Sequence, residues 1–134
     1  MNIAEVMDDL AVQLTVIDGL RVFEYPPGSL VPPAAVVAYP DEILFDSSYQ
    51  RGADRLTIPI MVMVGKANDR SSRDRLGIYA DGRGSASIKQ VIETGRYKAF
   101  GSVRVTRATV DVVTMAGTDY LAAVFSLDII GKGQ

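Results

Sequence analysis

A strict alternation runs through residues 55–64. Leu56, Ile58, Ile60, Val62 and Val64 fall on one side of an extended chain, and Thr57, Pro59, Met61 and Met63 on the other. A period of two places the first set in a core and excludes a helix over this stretch. Any fold for the chain therefore contains a sheet with this strand in it. Pro59 has no N–H to donate, so the strand is expected to run at an edge or beside a bulge at that point. The two methionines on the outer side are unexpected for a face turned to water.

The C-terminal third carries the same signal twice. Over 102–113, Val103 and Val105 share one parity, whereas Ala108, Val110 and Val112 share the other. A one-residue switch inside a strand flips which face is buried, so a β-bulge is expected near Thr106 and Arg107. Residues 115–118 supply a turn. Residues 119–130 return with Leu121, Ala123, Phe125, Leu127 and Ile129 inward. The opposite face, with Tyr120, Ala122 and Val124, is too apolar for a solvated sheet. Residues 131–134 read as a frayed tail.

The rest of the chain is less regular. Ile3, Val6, Met7, Leu10 and Leu14 recur at helical spacing, with Asn2 as the cap and Asp8 and Asp9 on the polar side. Residues 20–25 and 34–39 are short strands separated by proline pairs, which predicts a broad hairpin or a bridged pair. The second, AAVVAY, reads as covered on both faces. Residues 41–54 have no period and read as a long loop, although Ile43, Leu44, Phe45 and Tyr49 are apolar. Two helices follow, over 72–80 from a capping box at Ser71 and over 85–93 from Ser85. Ile88, Val91 and Ile92 are the stripe of the second, and Gly95 fits its end. The order α-β-β-β-α-α-β-β predicts a single α+β domain spanning 1–134. Its sheet is mostly antiparallel, has helices on one side and ends in a long β-hairpin.

The chain of 134 residues has no cysteine and no histidine. That excludes thiolate nucleophiles, imidazole bases and Cys/His zinc sites. Fourteen basic residues stand against 16 acidic ones, so there is no bulk positive charge for gripping a nucleic acid backbone. The N-terminal segment lacks the basic start of a secretory signal, and no apolar run approaches a membrane span. No cofactor or metal is expected.

Three charged groups merit a chemical reading. Asp81, Gly82, Arg83 and Gly84 precede a helix, but lack the lysine and spacing of a phosphate loop and read as a turn. Asp41, Glu42, Asp46 and Asp54 match no calcium loop, and Arg51 and Arg55 lie close enough to neutralise them. Arg70, Arg73, Arg75 and Arg83 are diluted by Asp69, Asp74 and Asp81, which reads as a solvated helix face. Contact is better supported than catalysis. The candidate assembly residues are Phe45, Tyr49 and Arg51 in the long loop, and Met61, Met63, Tyr120 and Val124 on the outer strand faces.

Four stretches, read in order, resemble the tail terminator (tail-completion) proteins of long-tailed bacteriophages, especially those infecting actinobacteria. They are PPAAVVAYPDEILFD (32–46), SYQRGADRLTIPIMVMVGK (48–66), DRSSRDRLGIYADGRG (69–84) and VDVVTMAGTDYLAAVFSLDI (110–129). None is a catalytic signature; their order, spacing and the total length carry the likeness. The resemblance implies a structural virion protein, not an enzyme, that forms a hexameric ring. Such a ring caps the tail tube, stops its polymerisation and joins the tail to the head or neck. It implies the tail tube protein and a neck or head-completion protein as partners, DNA passing through the lumen without specific binding, and no membrane. The location it implies is the head-proximal end of the virion tail, after assembly in the host cytoplasm. A neck or stopper ring is the nearest alternative. A small carboxylate-dependent enzyme and a monomeric ligand-binding domain are the others.

Overall fold

The computed structural model describes residues 1–25, 28, 31–45, 53–115 and 117–132. The first helix, α1, is Ile3–Leu14. The Asn2 side chain accepts the Glu5 N–H at 3.1 Å, and Val6, Met7, Leu10, Ala11 and Leu14 form its buried side. The strands are β1 (Arg21–Phe23), β2 (Ala34–Val37), β3 (Glu42–Leu44), β4 (Ala53–Lys66), β5 (Ser102–Met115) and β6 (Thr118–Lys132). Two further helices, α2 (Arg70–Tyr79) and α3 (Ile88–Thr94), lie between β4 and β5.

All six strands join one mixed sheet in the order β1-β2-β4-β6-β5, with β3 pairing to β4 beside β2. Among the described residues four of the five pairings are antiparallel. The exception corrects the expected hairpin: β1 and β2 run parallel, with Arg21 opposite Ala34 and Phe23 opposite Val36. The connection between them carries two proline pairs and is too long for a tight hairpin turn.

The expected loop over 41–54 contains a strand. Val37 lies opposite Ile60 and Glu42 opposite Thr57, so residues 38–41 face only 58 and 59 of β4. The Ala38 N–H donates to the Pro59 carbonyl at 3.0 Å, and the Asp41 N–H to the Thr57 carbonyl at 2.8 Å. In an extended chain a residue's nitrogen and carbonyl share a side, so the Pro59 nitrogen faces this two-residue slip. A missing donor there breaks no ladder, which is how a proline sits in a central strand. Residues 46–52 lie outside the described residues.

The alternation in β4 holds. Leu56, Ile58, Ile60, Val62 and Val64 are buried with Ala35 and Val37 of β2 and with Ala123, Phe125, Leu127 and Ile129 of β6. Residues from all three helices belong to the same core, so the helical layer covers this face. The bulge expected near Thr106 is present, since the β5–β6 register shifts between Val105 and Arg107. Gly117, at φ +78°, closes the hairpin in a conformation that favours glycine.

Three boundaries move. Helix α2 is capped by Asp69, whose carboxylate accepts the Ser71 N–H at 3.0 Å, in place of the expected box at Ser71. Helix α3 is capped by Ser87 rather than Ser85, its Oγ accepting the Gln90 N–H at 3.2 Å. Strand β6 continues to Lys132, past the tail expected from Gly131. A Cβ at Gly131 would come within 3.2 Å of Phe100, so the glycine lets the two segments close together.

Candidate assembly surface

The charged groups singled out in the sequence are largely engaged in local structure. Arg55 pairs with Asp128 at 3.1 Å across neighbouring strands. Asp54 is buried, Asp41 and Glu42 are exposed, and Asp46 lies outside the described residues. Among the described residues no group of three or more acidic side chains is placed to hold a metal ion. The Asp81 side chain accepts the Arg83 N–H at 3.2 Å, and the Gly84 N–H donates to Gln90 at 3.0 Å. The Arg83 and Gly84 amides are thus taken by the side chains of Asp81 and of Gln90 on α3. Arg73 contacts Asp74 at 3.5 Å, and Arg75 donates to the Val64 carbonyl at 3.3 Å.

Polar side chains instead tie the layers together. Asp9 accepts the N–H groups of Lys98 and Ala99 at 3.3 and 3.1 Å, and Gln13 donates to the Val91 carbonyl at 2.8 Å. The Tyr97 hydroxyl donates to the Ile92 carbonyl at 2.6 Å while its ring stacks on Phe100. Burial, with the Asp9 charge nearby, pushes the Tyr97 hydroxyl well above its ordinary range, so it stays a donor. A Cβ at Gly95 would sit 2.6 Å from the Tyr97 hydroxyl oxygen, so glycine is needed there for close approach.

The outer face of the sheet, away from the helices, carries four of the predicted assembly residues. Met61 and Val124 are directly opposite each other on β4 and β6, and both are half-buried. Tyr120, nearer the hairpin tip, is also half-buried. Met63 differs: only 2% of it is exposed, so it has almost no surface to lend a partner. Ala34, Val36 and Ala122 are likewise buried on this face. Phe45 stands at the end of β3 with 73% of its surface exposed, next to the exposed Leu44. Tyr49 and Arg51 lie outside the described residues.

Sequence reasoning missed two apolar areas. On the helical layer Val12 of α1 and Ile78 of α2 are 68% and 56% exposed. On β5 both faces are exposed from Thr106 to Val112, and Val110 and Val112 are among the exposed apolar residues. The signal for Val12 was available, since it falls off the buried stripe of α1. The exposure of β5 was not, because it depends on where the helices stop. No helix among the described residues is long and apolar enough to cross a membrane. No protein-family model matches the chain, and no curated protein matches it either.

Proposed function

We propose that this protein is the subunit of a hexameric tail-terminator ring of a long-tailed bacteriophage. In that role it caps the tail tube, stops polymerisation and joins the tail to the neck. The observation that carries the reading is the distribution of apolar surface over two opposite sides of one two-layer domain. Met61, Tyr120 and Val124 lie on the sheet side, and Val12 and Ile78 on the helical side. A closed ring needs two different surfaces per subunit, each meeting the other on the next copy. The sheet face of one subunit against the helical layer of the next meets that need. Phe45, at the margin of the sheet, is then free to anchor a partner along the ring axis.

Electron microscopy of the purified protein tests the assembly. Rings of six copies, about 86 kDa from a 14.4 kDa chain, are expected. Deletion of the gene from a phage that carries it tests the role. Over-long tails are expected; separate tails of normal length would assign the ring to the neck instead. A monomer both in solution and on isolated tail tubes would refute the reading.

A further inference from the structure

One edge of the sheet is open for pairing. Strand β1 ends the sheet with three residues, whereas β5 ends the other side with 14. Two hydrogen bonds locate the outward-facing amides of β5. The Val105 N–H donates to the Glu93 carboxylate at 2.9 Å, and the Val112 N–H donates to its neighbour Asp111 at 2.8 Å. Neither amide is used in the ladder with β6. One residue is odd and the other even, as the one-residue bulge at Thr106 requires. Beyond the bulge, therefore, Ala108, Val110 and Val112 point their backbone groups outward. Helix α3 closes the edge at Val105, but among the described residues no such side chain closes it at Ala108 or Val110. The segment 107–112 contains neither lysine nor proline, the usual guards of such an edge.

We propose that residues 107–112 of β5 pair antiparallel with the same segment of a second copy, about a two-fold axis through Thr109. Charge sets the register. Centred on Thr109, each Arg107 lies directly opposite the partner's Asp111, in the non-hydrogen-bonded class of pair where side chains approach most closely. Both residues are on the outer face of the sheet, and Arg107 has no ion pair among the described residues. Centring on Asp111 would set two carboxylates against each other. Centring on Val110 would leave both charges without a partner. Ala108 and the partner's Val110 then exchange backbone hydrogen bonds on either side of the axis.

Shape agrees with charge. The same register carries the partner's Val112 to the level of Thr106 on the helix side of the sheet. A hollow of about 190 Å³ lies there, lined by Ala80, Val105, Ala108 and Phe125 among others. The exposed valine has a largely apolar recess to enter. The contact uses the margin of the sheet rather than the two sides assigned to the ring, so the two readings fail independently.

Sedimentation equilibrium on the full chain tests the pairing. The expected species, in the absence of ring closure, is a dimer of twice the 14.4 kDa chain mass. Arg107→Asp sets like charges opposite each other at two symmetric positions and raises the dissociation constant about tenfold or more. Arg107→Asp combined with Asp111→Arg restores the pairs and the affinity. Because the chain has no cysteine, Thr109→Cys should cross-link to a covalent dimer under mild oxidation, whereas Val112→Cys should not. The proposal is overturned by a strict monomer at the highest attainable concentration, or by a double variant as weak as the single one. Equal cross-linking of the two cysteine variants would also overturn it. Rings that form normally from the unsubstituted chain, while no dimer appears under any condition, refute this contact and leave the ring reading standing.

Discussion

Glu93 shows how a side chain that looks dispensable on a helix surface can hold two elements together. Its carboxylate accepts the Lys89 ammonium at 2.7 Å within α3 and the Val105 N–H at 2.9 Å on β5. Partial burial works against the charge, but the Lys89 and Val105 hydrogen bonds outweigh it and hold the carboxyl below its ordinary value of 4.5. A depressed carboxyl stabilises the fold in its ionised form. That contribution is complete above 4.5 and is lost as pH falls through the folded value. Glu93→Gln should therefore cost about 1 kcal/mol at neutral pH, the difference between a charged and a neutral hydrogen bond. Denaturant titrations of the two proteins should converge as the pH is lowered below 4.5. A gap independent of pH would mean that packing, not charge, is what Glu93 supplies. The methionines of β4 give a second contrast. Met63 is 2% exposed, so Met63→Lys buries an unpaired ammonium and should cost several kcal/mol, on the order of 3–5. Met61→Lys should leave the melting temperature within a few degrees of the parent, because that position is partly exposed to solvent. Parity in the sequence puts the two on the same face; their different burial depends on the strands that flank them.

The strands were legible where a period ran unbroken and obscure where it slipped. The alternation of β4, the bulge in β5 and the turn at Gly117 all follow from side-chain parity and glycine placement. Strand β3 was hidden because it is three residues long and stands two residues out of register with β2 across Pro59. The parallel β1–β2 pair was hidden for another reason: strand direction is set by where a connection returns, and parity says nothing about it. The caps of α2 and α3 each lie two residues from the expected ones, because Asp69 and Ser71, or Ser85 and Ser87, are equally good capping types. The bulge also makes a test by amide exchange in the monomer. The N–H groups of Thr109 and Asp111 face β6 and should exchange slowly, whereas those of Ala108 and Val110 face outward and should exchange fast. Before the bulge the parity reverses, so Arg104 should be protected. Continuous protection through 108–112 at low concentration would mean that β5 is not an open edge.

The arrangement as one sheet with helices on a single side has a consequence for assembly that no single residue carries. The two outer sides of the domain are chemically different: one is pleated and rich in Met, Val and Tyr, the other ridged with Val12 and Ile78 between polar helical residues. The sequence made the apolar sheet side visible as a surplus of apolar residues on faces turned from the core. It left the helical side unmarked, because one exposed valine on an amphipathic helix is ordinary. If the sides meet head to tail, damage to each side has a distinctive signature. Met61→Lys blocks the sheet side and leaves the helical side intact; Val12→Lys does the reverse. With Arg107→Asp added to both to weaken the β5 edge pairing, either variant alone should be monomeric, since every ring contact needs one surface of each kind. Mixed in equal amounts, the two should form a one-to-one heterodimer, joined by the intact helical side of the first and the intact sheet side of the second. That pair cannot grow, because each exposed end carries a blocking lysine. Native mass spectrometry with one isotopically labelled variant would resolve the heterodimer from both homodimers. Persistence of two monomers in the mixture, with wild-type rings observed in parallel, would place the ring contact on other surfaces of the domain.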